Sequence, residues 1–540
     1  MGHFAIATLA QIPHRRDGLP WGSTNPAEEP PDTGVTRHYH FSITRGFKAP
    51  DGFNKSVILV NDQFPGPAIE ANWGDMIKVT VVNNIDSPDE GATIHWHGMT
   101  LKNSPWYDGV PGVSQCPITP RGGKFTYTFQ ADQFGTGWYH SHYSAQYDDG
   151  LYGPMVIYGP VQPEVSYDHD LGPVMISDYF HISYSKALEL SFSKPPLPLS
   201  VDNNLINGKR SGKRYRLRLI TTGSLANQKF NIDNHEMTII ANDYVPIKPY
   251  NTRVVTLGSG QRTDVIIHAT GSPKDAVWMR SDIDMVCLQT TATIPTTLAA
   301  IYYESANTDY PPETNGSSWE SNNCRNDPLS QTVPYYPVTP PDPETVQTVT
   351  VTVGLNATGY AVMFMDGSSF RADYHHPTLL GAKSGNLSFP TERNVYNFGS
   401  NSSVRLILTN TYGTVHPMHL HGHNFWVLAE GLGTWDGEIT NPCNPLRRDT
   451  HNLQPETPVQ PSYVVLEWRQ NNPGIWPFHC HMSVHSSAGM IILALEQPDL
   501  IEELRVPMVI RQSCRSWEQF KSPSLVKQID SVDRTPHPAP

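Results

Sequence analysis

Long apolar runs are missing from this 540-residue chain, since none approaches the ~20 residues that a membrane-spanning helix requires. Charged residues are also scarce, at 16% of the chain, and positive charge is in deficit, with 38 Lys and Arg against 51 Asp and Glu. The resulting net charge of −13 disfavours nucleic acid and anionic membrane surfaces as partners. We therefore expect a soluble, acidic protein.

Sustained helical periodicity is absent as well. From about residue 35 the chain shows short runs of β-branched and aromatic residues, such as 56–60, 76–82 and 125–129, separated by turn-forming residues. This pattern is typical of an all-β protein. The length suggests about three or four domains, and the Pro-rich segment 333–343 is a candidate linker. We predict a flexible arm over 1–34, three β units over 35–162, 163–340 and 341–515, and a polar tail over 516–540.

Cysteine is sparse, with six residues in the chain. If Cys480 binds a metal, five remain, enough for two disulfides and one odd thiol. Together with the sequons, these cysteines favour a secretory compartment. Residues 4–10 are short for a signal-peptide core, so residues 1–11 could be a remnant or the chain could begin past the signal. The sequons begin at Asn54, Asn315, Asn356, Asn386 and Asn401.

The segment 477–490 carries the strongest chemical signal. In an extended strand, Cys480 points to one face and His479 and His481 to the other. With His485, Met490 and one more distant histidine, the thiolate completes the His2Cys set with a weak axial thioether that is typical of blue-copper centres. The alternative is a buried structural cysteine among unrelated histidines. Further His-x-His pairs elsewhere in the chain, among them 95/97, 140/142 and 419/421, argue against that alternative.

Four His-x-His pairs, out of six in the chain, are candidate metal ligands, and all lie in the first and third predicted units. A single pair is weak evidence, because alternating histidines also occur on solvated strands. Four pairs around one cysteine segment suggest metal ions shared across the interface of these two units. His416 falls outside the pattern and can turn back to complete the thiolate site. The pairs are His95/His97, His140/His142, His419/His421 and His479/His481.

These motifs resemble the multicopper oxidases over about residues 35–515, and in particular their ascomycete laccase-like branch, through residues 110–117, 138–143, 230–235 and 444–449. The resemblance implies three cupredoxin-like Greek-key β-sandwich domains and four copper ions. It implies a type 1 copper on His416, Cys480 and His485 with Met490 axial. It also implies a type 2 copper on His95 and His419, and a type 3 pair on His97, His140, His142, His421, His479 and His481.

The resemblance further implies electron entry near His485, transfer through Cys480, and reduction of O2 to water. Asp108 matches the family's acid near the type 2 copper, and its alternative is an Asp-Gly turn residue. Disulfides Cys116–Cys514 and Cys287–Cys324 are implied in the same way, which leaves Cys443 without a role. The remaining thirteen histidines, including His423 and the pair 375–376, are expected to be surface or hydrogen-bonded residues.

Four departures from the family pattern limit the transfer of its properties. Met490 occupies an axial position that fungal laccases often fill with Leu or Phe. Ser483 stands where many relatives carry a carboxylate beside the type 3 pair. Leu225 occupies the place of a substrate-anchoring acid, so recognition of phenols through that acid is in doubt. The tail that ends at Pro540 has no short plug of the kind found in many ascomycete laccases.

The leading functional hypothesis is a laccase-like, monomeric oxidase of small phenols with O2. A narrower version of it is dedicated phenol coupling in fungal pigment or secondary-metabolite biosynthesis. An ascorbate oxidase is the alternative that Met490 supports. A metal-ion oxidase is disfavoured, because no carboxylate cluster is evident around His485. From another class, a copper-binding electron-transfer protein would need only the Cys480 site, so the histidine pairs argue against it.

The axial role of Met490 can be tested, because a thioether donates weakly to Cu(II) and stabilises the oxidised ion. The variant Met490→Leu should therefore raise the reduction potential of the thiolate centre. Redox titration of the copper-loaded protein measures this potential. An unchanged or lower value in the variant would refute the axial role of Met490.

Overall fold

The computed structural model describes residues 25–193, 197, 199–206, 214–288, 291–320, 324–357 and 359–520. Most of the predicted N-terminal arm, with the possible signal remnant, and the tail from residue 521 lie outside the described residues. Within these ranges no helix combines the length and apolar character needed to cross a membrane.

The first β unit is a sandwich of two four-stranded sheets, ordered β2-β1-β4-β6 and β3-β8-β7-β5. Side chains of β4 alternate between the core and the solvent, as expected for a strand of a sandwich. Ile77, Val79 and Val81 are fully buried, whereas Lys78 between them is exposed. Short 3₁₀ helices cover Pro105–Tyr107 and Gln146–Asp149. The strands are β1 (Thr36–Lys48), β2 (Lys55–Val60), β3 (Ile69–Asn72), β4 (Met76–Asn83), β5 (His95–His97), β6 (Gly123–Gln130), β7 (Gly135–His140) and β8 (Tyr152–Tyr158).

The second unit packs a six-stranded sheet, β11-β9-β12-β17-β14-β15, with a four-stranded sheet, β16-β13-β18-β20, and carries the small pair β10-β19. Its elements are β9 (His169–Tyr179), α1 (Tyr184–Ser191), β10 (Ser200–Val201), β11 (Asn203–Ile206), β12 (Arg214–Thr221), β13 (Gln228–Ile232), β14 (Met237–Asn242), β15 (Val245–Thr252), β16 (Val255–Leu257), β17 (Arg262–His268), β18 (Ala276–Ile283), α2 (Met285–Leu288), β19 (Thr291–Ala292) and β20 (Thr296–Tyr302).

The third unit joins a six-stranded sheet, β22-β21-β24-β29-β26-β27, to a five-stranded sheet, β23-β31-β30-β25-β28. A 3₁₀ helix covers Thr391–Arg393. The elements are β21 (Thr345–Leu355), β22 (Ala361–Met365), α3 (Thr378–Lys383), β23 (Val395–Asn397), β24 (Ser403–Asn410), β25 (His416–Leu420), β26 (Phe425–Leu432), β27 (Leu446–Arg448), β28 (Thr450–Leu453), β29 (Ser462–Arg469), β30 (Gly474–Cys480), α4 (Ser483–Ser487), β31 (Ile491–Glu496), α5 (Pro498–Glu503) and α6 (Met508–Gln519).

The predicted all-β fold of three sandwiches is confirmed. One continuous cluster of buried apolar side chains runs through the first and third units, from Phe41 and Trp96 to Phe478 and Leu493. The second unit has its own core, which includes Phe230 and lies between its two sheets. The outer units therefore pack directly against each other, and this contact positions the histidine strands of both.

Helix α6 is a feature that the search for helical periodicity missed. Its buried side chains include Ile510, Ser513 and Trp517, so its packed face is narrow and mixed in polarity. Cys514 on this helix forms a disulfide with Cys116 of the first unit, and the second disulfide joins Cys287 to Cys324. Both pairings are confirmed, and Cys443 is an exposed free thiol.

The two disulfides should differ in their effect on stability. The loop closed by Cys116–Cys514 spans 398 residues and that of Cys287–Cys324 spans 37. In the chain-entropy view, the longer loop stabilises by about 2 kcal/mol more. Replacing both members of the first pair by Ala should lower the calorimetric Tm further than the same change in the second pair. An equal or smaller drop for the first pair would contradict this prediction.

Candidate metal centres

The structure gathers all ten predicted histidine ligands and Cys480 into two neighbouring groups. One group is His416, Cys480 and His485, whose candidate ligand atoms lie within 4.8 Å of one another. The other is a set of overlapping triads at the interface of the first and third units. These triads are His95/His419/His421, His95/His97/His140 and His142/His421/His479. His481 joins the second group, with its Nε2 3.2 Å from Nδ1 of His97.

Strand register brings these side chains together. In the first unit His95 on β5 lies opposite His140 on β7. In the third unit His419 on β25 lies opposite His479 on β30. Only the pair His95/His97 lies wholly within a strand, because His142, His421 and His481 each follow the last residue of theirs. The second member of three pairs therefore lies just past a strand end, and all four pairs converge on the same cluster.

The thiolate group lies on the opposite face of the same strands. Met418 is directly opposite Cys480, and His416 lies two residues before Met418, so these side chains share a face. His485 reaches the same place from the short helix α4. The peptide nitrogen of Cys480 donates to the carbonyl of Met490 at 3.2 Å, and that of Met490 donates to the carbonyl of His485 at 3.1 Å.

The donor atoms of this group face one another at close range. Cys480 Sγ is 3.7 Å from His416 Nδ1 and 3.6 Å from His485 Nδ1, and the two nitrogens are 3.2 Å apart. Met490 is fully buried beside them. Burial lowers the pKa of His485 to about 4 and that of His416 well below its ordinary value, and it raises the pKa of the Cys480 thiol. Two neutral imidazoles and a thiol result.

The histidine cluster at the unit interface also brings ring nitrogens close together and keeps the imidazoles neutral. His421 Nε2 and His479 Nε2 are 3.0 Å apart, and the rings of His97 and His419 stack at 3.9 Å. Burial lowers the pKa of His479 to about 4, and burial with neighbouring imidazoles lowers the pKa of His97 and His421 far below the ordinary range. Neutral imidazoles are the form that binds metal.

Four of these histidines have a ring nitrogen that is free for a metal. The Nδ1 atoms of His95, His140 and His419 lie 2.8–2.9 Å from backbone carbonyls, which fixes them as N–H donors. The Nε2 atoms of these three residues and of His142 are buried without any hydrogen-bond partner. Orphaned buried nitrogens of this kind fit a metal cluster, and imidazole with thiolate is a donor set that suits copper.

Asp108 lies beside the histidine cluster. Both of its carboxylate oxygens are 3.0 Å from Nδ1 of His421, and its backbone carbonyl accepts from Nδ1 of His95 at 2.9 Å. It follows the 3₁₀ helix Pro105–Tyr107 and is 1% exposed. Asp108 thus orients the rings of His95 and His421. It also precedes a turn glycine, as the alternative interpretation expects.

Asp449 orients the cluster from the other side, and sequence reasoning did not assign it a role. Its Oδ1 is 3.1 Å from His97 Nε2, and its backbone carbonyl accepts from His419 Nδ1 at 2.8 Å. Arg262 of the second unit donates to both carboxylate oxygens at 2.6 Å. The motif 444–449 was visible, but its arginine partner lies 187 residues away along the chain.

The second unit also approaches the cluster through a glycine. Gly260 has φ +84°, and a Cβ atom there would lie 2.7 Å from Cδ2 of His481 and 3.0 Å from Cε1 of His97. Next to it, the Ser259 hydroxyl is 3.3 Å from Nδ1 of His481. The described residues of the second unit form no histidine cluster, but they close one wall of the cluster between the first and third units.

Four other residues discussed above lie outside the two donor sets: His423, His376, Ser483 and Leu225. His423 is bonded to Glu496 at 2.5 Å, and His376 to Asp373 at 2.9 Å. Ser483 donates to Asp148 Oδ2 at 2.6 Å. The backbone N–H of Leu225 donates to Asp178 at 2.8 Å.

Comparison with known proteins agrees with this geometry. Sequence models described as multicopper oxidase match residues 42–162, 170–306 and 339–499. The chain is 37% identical to oxidoreductase OpS5 of Beauveria bassiana and 34% to laccase-2 of Botryotinia fuckeliana, each over 95% of this chain and 91% of the relative. It is 32% identical to dihydrogeodin oxidase of Aspergillus terreus, over 92% and 89%.

Solved structures point the same way. The laccase from Botrytis aclada superposes with a TM-score of 0.84 and 33% identity, over 92% of this chain and 94% of that one. Three β-sandwiches with a thiolate–imidazole pocket beside an imidazole cluster define a metalloprotein of the cupredoxin class. The chain belongs to the multicopper oxidase family, in its ascomycete laccase-like branch. Membership implies copper as the cofactor.

Gly260→Ala should disturb the imidazole cluster specifically, because its methyl group would overlap the His481 ring. We expect reduced copper content and a weakened near-ultraviolet absorption of the copper-loaded protein, with the visible thiolate band retained. Gly172→Ala is the matched control, since Gly172 has φ +80° and no atom within 4 Å of the new Cβ. Equal copper content in the two variants would contradict the steric argument.

Copper loading of the thiolate pocket should strengthen with rising pH. Between about pH 5.5 and 7.5 both pocket histidines are neutral while the Cys480 thiol is protonated, so binding releases one proton. The apparent association constant should therefore rise about tenfold per pH unit. Competition with a chelator, followed by the visible thiolate-to-copper band, measures it. A flat dependence would mean that the thiol is already ionised.

Proposed function

We propose that this protein is a laccase-like oxidase that removes single electrons from small phenols and reduces O2 to water. The observation that carries the proposal is the pair of adjacent donor pockets linked by three consecutive residues, His479, Cys480 and His481. An electron-transfer protein needs the thiolate pocket alone, so the imidazole cluster favours an oxygen-reducing enzyme. Copper, when bound, would supply the one-electron chemistry and the reduction of O2.

We assign four copper ions to the two pockets. His416, Cys480 and His485, with Met490 as axial ligand, would hold the type 1 ion. His95 and His419 would hold the type 2 ion. The type 3 pair would lie among the other six histidines. Support comes from the freed imidazole nitrogens and from the spacing of the triads. The six are His97, His140, His142, His421, His479 and His481.

The chain connects the two pockets by a short covalent path. His479 and His481 each lie one peptide unit from Cys480, and consecutive strand residues are only ~3.3 Å apart along the chain. The Tyr147 hydroxyl donates to the carbonyl of His481 at 2.8 Å and helps to fix this path. Within the thiolate pocket, His485 is the most exposed residue, at 9%. We assign it to electron entry from substrate.

Asp108 would hold the cluster histidines in their metal-binding tautomers and accept or deliver a proton at its carboxylate. Its contacts with His95 and His421 support the first role. The second follows from the chemistry of O2 reduction, which consumes one proton per electron. A carboxylate bonded to ligand nitrogens is positioned to hold such a proton.

The substrate side lacks an obvious acid. The Asp178 carboxylate accepts the backbone N–H groups of Ser224, Leu225 and Ala226 at 2.7–2.8 Å, so it fixes this loop and is not available to a phenol. Leu225 presents a partly buried apolar side chain. Apolar contact with an aromatic ring is therefore the recognition that this loop supports.

Dedicated phenol coupling is a narrower version of the same function. The relatives include dihydrogeodin oxidase as well as laccases, and an apolar loop suits one defined aromatic substrate. These relatives favour phenol oxidation over ascorbate oxidation, which Met490 alone supported. We further infer a secreted, glycosylated monomer with cupredoxin domains over 35–162, 163–340 and 341–515.

Oxygen consumption by the copper-loaded protein tests the proposal. Syringyl phenols should support O2 uptake with a stoichiometry of four electrons per O2, whereas ascorbate and Fe(II) should be poorer donors. Cys480→Ser is the matched variant, because it removes the visible thiolate band and should abolish uptake while leaving the histidine cluster. Absence of uptake with every donor, in protein that shows both copper absorptions, would favour the electron-transfer class.

A further inference from the structure

A cavity of about 190 Å³ lies apart from both donor pockets, and none of the predicted copper ligands lines it. Its walls come from four parts of the chain: residues 26–30, the first unit at 100–102, the second unit at 244–245, and the third unit at Trp426, Arg447 and Arg469. A single water occupies ~30 Å³ in the liquid. The cavity therefore has room for a small organic molecule.

Two arginines in this cavity lack a counter-charge. Neither Arg447 nor Arg469 forms an ion pair with any carboxylate of the described residues. Arg447 is 8% exposed; its Nη2 donates to the carbonyl of Tyr336 at 2.5 Å, and its Nε is buried without a partner. Burial and the nearby Arg469 lower the pKa of Arg447 to about 10, so it stays charged at neutral pH.

The neighbouring residue shows how this fold treats a structural arginine. Arg448 points to the other face of β27 and donates to the Asp243 carboxylate at 3.0 and 3.2 Å. Arg447 lies opposite Trp426, and the Arg469 guanidinium lies 5.6 Å from the centre of the Trp426 ring. The Arg469 cation thus lies over an aromatic ring whose strand neighbour is Arg447. Leaving the buried Arg447 cation without an anion is unfavourable, so this arrangement indicates a ligand.

The acidic groups of the cavity do not supply this anion. Asp132 accepts hydrogen bonds from the hydroxyl and N–H of Thr100 and from the N–H of Lys102, and burial raises its pKa. Glu29 is in close contact with the Lys102 ammonium. Glu28 lies on an exposed stretch of the rim and makes no ion pair with a described residue.

We propose that this cavity binds a small organic anion, with a carboxylate group placed between the Arg447 and Arg469 guanidiniums. Guanidinium groups match carboxylates in geometry as well as charge. The volume exceeds what an inorganic anion would fill. Gly422, which also lines the cavity, follows His421, and Asn472 Nδ2 bridges the carbonyls of Gly422 and Thr100 at 3.1 and 2.7 Å. Occupancy would therefore stabilise the contact between the first and third units.

Calorimetric titration of the copper-loaded full chain with sodium malonate tests the proposal, with NaCl at equal ionic strength as reference. We expect saturable binding of one malonate per chain and a Tm that rises with malonate concentration. Arg447→Gln and Arg469→Gln should each weaken binding about tenfold or more. Arg511→Gln, an exposed arginine of α6, is the control for the loss of one charge and should leave binding unchanged.

The variant Glu28→Gln should change the affinity for malonate in the opposite direction. Removing this carboxylate from the rim lessens repulsion of an incoming anion, so affinity for malonate should increase. If Arg447→Gln does not fold, the Arg469→Gln variant still tests the proposal, because Arg469 is exposed. Absence of saturable malonate binding, binding that both arginine variants retain, or binding of inorganic phosphate but not malonate would each overturn the proposal. None of these measurements depends on oxidase activity.

Discussion

The antiparallel register of β25 and β30 is the constraint on which the rest of the site depends. It places His419 opposite His479 on one face and Met418 opposite Cys480 on the other. A slip of one residue would exchange the faces of every side chain in one strand. The thiol would then lie with the imidazoles of the interface, and neither donor set would exist. Two metal pockets therefore share one strand pair, and their separation is fixed by the backbone rather than by a flexible loop.

A second constraint is the cost of burying so many polar groups together. The histidines avoid it by staying neutral, since burial lowers the pKa of His97, His140 and His481 far below the ordinary range. The charged groups behind them are paired: Arg262, fully buried, donates to Asp449 through two hydrogen bonds of 2.6 Å. This pair explains why the second unit is needed, although it supplies none of the predicted ligands.

The sequence was sufficient for the parts of the site that are local. The spacing of His479, Cys480 and His485 predicted the thiolate pocket, and the alternation in strands such as β4 predicted the sandwiches. Arg262 and Asp449 could not be paired in advance, because contacts between residues so distant in the chain leave no pattern in a single sequence. Helix α6 was missed for a different reason: it is only 12 residues long and mostly polar, so few apolar side chains mark its packed face. The disulfide of that helix with Cys116 came from family resemblance alone.

Ser483 shows why a departure from a family pattern has to be judged in space. The sequence suggested that this chain lacks a carboxyl group beside the type 3 histidines. In the fold, the Ser483 hydroxyl donates to Asp148 Oδ2 at 2.6 Å, and Asp148 comes from the 3₁₀ helix of the first unit. Burial raises the pKa of Asp148 well above its ordinary value, because the charged form loses its hydration. A carboxyl group is thus retained near this segment, and the first unit supplies it through the connection between β7 and β8. The serine at position 483 therefore does not leave the neighbourhood of the site without a carboxyl group.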